Sequence, residues 1–176
     1  MRRLTIAVFG LLLAAGCSSS SSTPSTTQAG TTTTRFTATL SPSQETPPIS
    51  NAESVGSGTS TMDFNITRDA SGTITAATVN FTVTLQGFPA TTVVTIAHIH
   101  TGATGVAGPV LISTTVTPGE VTLTNGAGTF TRVGVAITPN TAATMQSILD
   151  NPAGFYFNVH TAANPGGVMR GQLVKQ

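Results

Sequence analysis

Apolar and polar residues alternate along much of the chain with a period of two. Phe36, Ala38 and Leu40 are separated by Thr37 and Thr39, and Met62, Phe64 and Ile66 by Asp63 and Asn65. The longest run sets Val79, Phe81, Val83 and Leu85 between Asn80, Thr82 and Thr84. Successive side chains of a strand point to opposite faces, so each run describes a strand with one buried and one wet face, as in antiparallel sheets. Turn signals fall between the runs: Asp69-Ala70-Ser71-Gly72, Gly87-Phe88-Pro89, Pro118-Gly119 and Asn125-Gly126. Residues 59–68 and 73–86, joined through the Asp69–Gly72 turn, are predicted to form a hairpin. Further strands are expected at about 93–100, 109–116, 128–137, 154–160 and 168–174. This spacing predicts an all-β fold, an antiparallel β-sandwich or a flattened Greek-key barrel.

One segment changes period. Ala142, Met145, Ile148 and Leu149 recur at helical spacing, Asn140 or Thr141 can cap the start, and Asn151-Pro152 ends it. A single short helix over about 141–150 is predicted, with Met145 as a core plug.

The beginning of the chain has a different character. Arg2 and Arg3 precede an apolar run from Leu4 to Ala15 that ends at Gly16-Cys17. A basic start, a short apolar stretch and small residues at its end make a secretory signal, and the run is shorter than the roughly 20 apolar residues a spanning helix needs. The stretch LLLAAGC resembles the lipobox of bacterial lipoproteins, with Ala14 where a leucine is usual. That resemblance implies cleavage after residue 16 and acylation of Cys17, the only cysteine of the protein. The expected address is therefore a cell membrane or outer membrane, lipid-anchored on its extracytoplasmic face. From Ser18 to Thr34 the chain is nearly all Ser and Thr and has little to bury, so residues 17–34 are expected to be a flexible tether. The remaining 35–176 have the length of one domain.

Composition narrows the function. Thr accounts for 35 of 176 residues, in keeping with a chain of strands. Beyond the signal, five basic residues face six acidic ones; with no Trp and one Tyr there is neither a basic patch nor a stacking platform, and nucleic acid is not expected as a partner.

All three histidines fall in two places, Ala97-His98-Ile99-His100-Thr101-Gly102 and Asn158-Val159-His160-Thr161. His98 and His100 are two apart and would project together from a strand. If the strand carrying His160 lies alongside, three imidazoles converge, and neutral imidazole is a ligand for copper or zinc. Glu45, beside Pro47-Pro48, is a candidate fourth ligand or an orienting group behind an imidazole. Two other readings stand beside this one. The histidines can form a buried hydrogen-bond cluster tying neighbouring turns together through Thr101 and Thr161. Glu45 can form a structural ion pair with Arg170, since buried charges are seldom left unpaired.

Phe36-x-Ala38-x-Leu40, Gln44-Glu45-Thr46-Pro47-Pro48, the His98-Ile99-His100 strand, and Val159-His160-Thr161 with Arg170-Gly171-Gln172-Leu173 together resemble the CHRD domain, the module first named in chordin. The landmarks occur in family order across 35–176; Met169 departs from the acidic or polar residue usual there. The resemblance implies an extracellular all-β module and, from chordin, a part in binding growth factors. It implies no reaction.

The chain contains no Gly-x-Ser-x-Gly, no Walker-type loop and no Cys/His nucleophile pair. Gly102, Gly105 and Gly108 lead into a strand rather than a helix, so they are read as a turn and not a phosphate cradle. Three histidines are too few for the two-metal site of a copper/zinc superoxide dismutase. Glu45 with Glu53 or Asp63 as a glycosidase pair has nothing in the sequence to set its separation. The reading that results is a membrane-anchored binding or structural module whose partner is a metal ion, an envelope protein or a glycan. The rival class is a small mononuclear copper or zinc enzyme.

Overall fold

The computed structural model describes residues 29–176, and every strand pairing among them is antiparallel. In chain order the elements are β1 (Gly30–Leu40), β2 (Ser57–Arg68), β3 (Ile74–Gln86), β4 (Val94–Thr101), β5 (Val110–Ser113) and β6 (Gly128–Ala136). Then come α1 (Thr141–Asp150), β7 (Phe155–Thr161), β8 (Met169–Gln172) and β9 (Val174–Lys175). They form a five-stranded sheet in the order β6-β3-β2-β1-β9 and a four-stranded sheet in the order β5-β4-β7-β8. The expected β-sandwich is what forms, and the barrel alternative is not realised.

The core follows from the two-residue period. Phe36, Phe64, Phe81, Val79 and Val83 of the first sheet and Ala97, Ile99, Phe157, Val159 and Met169 of the second are all essentially inaccessible. Each such large apolar side chain contributes about 1.5–3 kcal/mol by leaving water. Phe36 and Phe64 meet edge to face at 5.4 Å, the arrangement the ring quadrupoles favour. The polar residues of the five-stranded sheet point outward and pair across strands: Thr31 with Thr67, Thr33 with Asn65, and Arg35 with Asp63 at 2.6 Å.

The helix forms over the predicted residues and lies against β3, with Met145 and Ile148 fully buried. Asn140 occupies the N-cap in a left-handed conformation and makes no side-chain cap bond; the Thr141 hydroxyl donates to the Ile137 carbonyl instead.

Three boundaries differ from expectation. β1 begins at Gly30, so residues 30–34, assigned to the tether, are strand paired with Phe64–Arg68. Their β-branched threonines lack core positions but gain a partner strand, which a composition argument does not see. The expected strand 109–116 stops at Ser113, because Thr115 takes a φ of 65° that no strand accommodates. The expected strand 168–174 divides at buried Leu173, and Val174–Lys175 cross to pair with Phe36–Thr37 of the other sheet. The signal, Cys17 and the tether as far as residue 28 lie outside the described residues.

Candidate metal centre on the outer face of the four-stranded sheet

Ala97 and Ile99 of β4 face the core, so His98 and His100 must face outward. On β7, Phe157 and Val159 face inward, and Tyr156, Asn158 and His160 outward; on β8, Arg170 and Gln172 share that outer side. Strand pairing sets His98 directly opposite Asn158, and Asn158 opposite Arg170; His100 stands opposite Tyr156, and Tyr156 opposite Gln172. Outer faces of sandwiches usually meet water. This one does not: His100, Tyr156, Asn158, His160 and Arg170 are all buried, and His98 is half-buried.

Two loops provide the cover, and the outward side chains hold them down. The loop after β4 is held at Gly108, whose carbonyl accepts from His100 Nδ1 at 3.0 Å and whose amide donates to the Tyr156 hydroxyl at 3.3 Å. Arg170 donates to the carbonyls of Val106 and Ala103, both at 3.0 Å, and Gln172 donates to that of Gly102. Gly108 lies so close to the strand that a Cβ there would sit 1.7 Å from the Thr101 carbonyl oxygen, so no other residue fits. The loop after β7 is held by His160 Nδ1 donating to the Pro165 carbonyl at 2.9 Å. Glu53 fastens the same loop from below, accepting from the Thr161 hydroxyl at 2.5 Å and the Asn164 amide at 2.6 Å.

Those carbonyls decide the imidazole tautomers. A carbonyl only accepts, so Nδ1 of His100 and of His160 carries the proton and Nε2 of each carries a lone pair. Both Nε2 atoms, and Nδ1 of His98, are buried without any hydrogen-bond partner. One ligating nitrogen from each of the three rings lies within 4.8 Å of the others. The ring centroids are 5.3–5.9 Å apart. Burial lowers the pKa of all three; for His98, with the neighbouring His160 and His100 adding to it, the value falls to about 4. The rings are therefore neutral at physiological pH and their lone pairs are available. Tyr156 stacks on His100 at 4.9 Å and carries the Arg170 guanidinium 3.4 Å from its ring centre, a cation that further opposes protonation of His100.

Such an arrangement can hold one ion. Bonds of about 2.0–2.1 Å in tetrahedral geometry place ligand nitrogens roughly 3.4 Å apart. Second-sphere carbonyl acceptors on two of the three rings are the usual support of histidine metal sites.

Glu45 does not join the imidazoles. It lies outside the cluster, and its Oε1 accepts from Asn158 Nδ2 at 2.9 Å. Burial raises its carboxyl pKa to about 7, with Arg170 and the Asn158 bond pulling the other way. The expected contact pair of Glu45 and Arg170 is not made either. The guanidinium is taken up by loop carbonyls and the Tyr156 face, and the ion pairs among the described residues are Arg35–Asp63 and Arg132–Glu120. Thr101 is exposed and reaches its turn only through its backbone amide, which donates to the Pro109 carbonyl, while the Thr161 hydroxyl donates to Glu53 and accepts from the Asn164 backbone amide rather than binding a histidine. Glu53 is thus a loop fastener. The roles of Tyr156, Asn158 and Gln172 escaped the sequence reading, although their two-residue spacing from His160 and Arg170 carried the signal.

A β-sandwich whose second sheet carries a loop-covered histidine cluster on its outer face defines the class of this domain. The family model described as the CHRD domain matches residues 36–173, and the chain belongs to that family. No curated protein and no solved structure matches the chain.

Proposed function

We propose that the protein is a CHRD module anchored to the extracytoplasmic face of a membrane through lipidated Cys17, and that His98, His100 and His160 bind one copper or zinc ion. A single observation carries the metal reading: each of the three imidazoles has a buried nitrogen without a partner, and one ligating nitrogen from each ring lies within 4.8 Å of the others. A cluster built only for hydrogen bonding would pair those atoms, since an unpaired buried polar group costs about 1–3 kcal/mol. Copper and zinc are among the metals that neutral imidazole suits. Three histidine ligands leave a coordination position open, which an envelope protein or a glycan can occupy. The anchor rests on the Leu4–Cys17 segment alone. β1 runs 11 residues, roughly 35 Å, and Ser41 directly after it bridges to Arg170 at the level of the site.

The test is elemental mass spectrometry on the full chain purified without a histidine tag, beside His98→Ala/His100→Ala/His160→Ala. The expected result is about one copper or zinc per chain, lost in the variant, with metal raising the thermal midpoint of the parent only. A parent that takes up neither metal after incubation with each sinks the metal reading. Metal with redox or hydrolytic turnover would move the assignment to the mononuclear enzyme class.

A further inference from the structure

Two of the three rings are fully anchored and the third is not. His100 and His160 each give Nδ1–H to a backbone carbonyl, whereas His98 has no partner at its buried Nδ1. The residue directly opposite His98 on β7 is Asn158, and its Oδ1 is also buried without a partner. Two polar atoms on directly paired residues are thus both buried and both without a partner.

The amide is held in place from its other side. Its Nδ2 donates to Glu45 Oε1, so the nitrogen is committed to Glu45 and Oδ1 is left without a partner. Gly167 lies flat against this pair with a φ of +127°; a Cβ there would come within 2.9 Å of Asn158 and of Glu45 Oε1.

We infer that Asn158, oriented by Glu45, is the positioning residue for His98 when the site is loaded; this rests on the metal reading above. A turn of the His98 ring puts Nδ1–H on Asn158 Oδ1, pairing both orphans in one bond. All three rings then share one tautomer, with Nδ1 anchored and Nε2 on the ion. Glu45 accordingly acts on the site through Asn158 and not as a ligand. Second-sphere acceptors of this kind change metal affinity by roughly 10- to 100-fold when removed.

The experiment uses zinc alone with the full chain. In the zinc-loaded parent, nitrogen-15 NMR of the imidazoles is expected to show His98 bound through Nε2 with a slowly exchanging proton on Nδ1. By calorimetry, Asn158→Leu should bind zinc roughly 10- to 100-fold more weakly. Asn158→Asp with Glu45→Gln reverses the donor and acceptor of the pair yet keeps an oxygen facing His98, and should return affinity to within a few-fold of the parent. Coordination through Nδ1 of His98, parent-like affinity in Asn158→Leu, or no rescue by the double variant each overturns the assignment while leaving the three-histidine site standing. A parent that binds neither zinc nor, in the same titration, copper removes both readings together.

Discussion

On the five-stranded sheet, the polar residues between core positions meet water and pair with one another: Thr31 with Thr67, Thr33 with Asn65, Arg35 with Asp63, Thr84 with Thr129. On the four-stranded sheet, the equivalent positions meet two loops and are buried with them. Both sheets use the same alternation and the same kind of inner face. What separates them is whether a loop lies over the outer face. Where none does, a polar residue is a solubilising group whose loss the fold tolerates. Where one does, each polar atom must find a partner inside the protein, and those that do not are the candidates for chemistry.

Two arginines test that difference most sharply. Arg170→Ala removes a buried guanidinium that holds the carbonyls of Ala103 and Val106 and the side chain of Gln172. It should cost on the order of 3–5 kcal/mol in denaturant unfolding and release the loop after β4 to proteolysis. Arg35→Ala removes an exposed guanidinium from the other sheet and should leave the unfolding midpoint within error. Equal losses from the two variants would mean that the loop cover does not seal the outer face.

A single methyl group probes the same cover less severely. Gly167→Ala must strain a φ of +127° and push on Asn158 and Glu45, so it should destabilise by about 1–3 kcal/mol. The change should broaden the NMR signals of Asn158 and His98 while sparing those of β1 and β2.

The smallest effect is in the pH dependence of the metal-free chain, and there the two sheets separate by window. The histidines are held below their usual pKa, so the unfolded chain takes up protons near 6.5 that the folded chain refuses. Their contribution is intact above about pH 6.5 and is lost as the pH falls toward 4. Glu45, raised to about 7, works oppositely: its contribution is full below about 4.5 and is lost as the pH rises through 7. Three histidines outweigh one carboxyl, so the midpoint should fall from pH 7 to 5, and Glu45→Gln should steepen that fall. The five-stranded sheet stays silent until lower pH, where Asp63, held down by its bond to Arg35, finally protonates. A parent whose midpoint is flat between pH 7 and 5 would show that the imidazoles are hydrated in solution.

Much of this was legible in the chain. The alternation at Met62–Ile66 and Val79–Leu85 fixes which faces are buried, because a strand has no other way to present those residues. The helix at 141–150 was legible for the same reason at a different period. His98 and His100 had to share a face, two residues apart on one strand. Tyr156, Asn158 and His160 had to share one too, and so did Arg170 and Gln172.

The tertiary structure decided which neighbours those faces met. Only the pairing of β4 with β7 brings His160 to His98 and His100, and pairing partners are chosen by the whole sandwich rather than by any local run. Only the closing of the two loops turns an outer face into an interior and supplies the carbonyls of Gly108 and Pro165, which every residue carries and no sequence pattern marks. The same closing sends Arg170 to the loop after β4 and Glu45 to Asn158, where charge alone suggested that the two would find each other. A periodic sequence determines direction relative to its own backbone. Contact between distant segments depends on how the sheets and loops close over one another, and the histidine site exists only at that level.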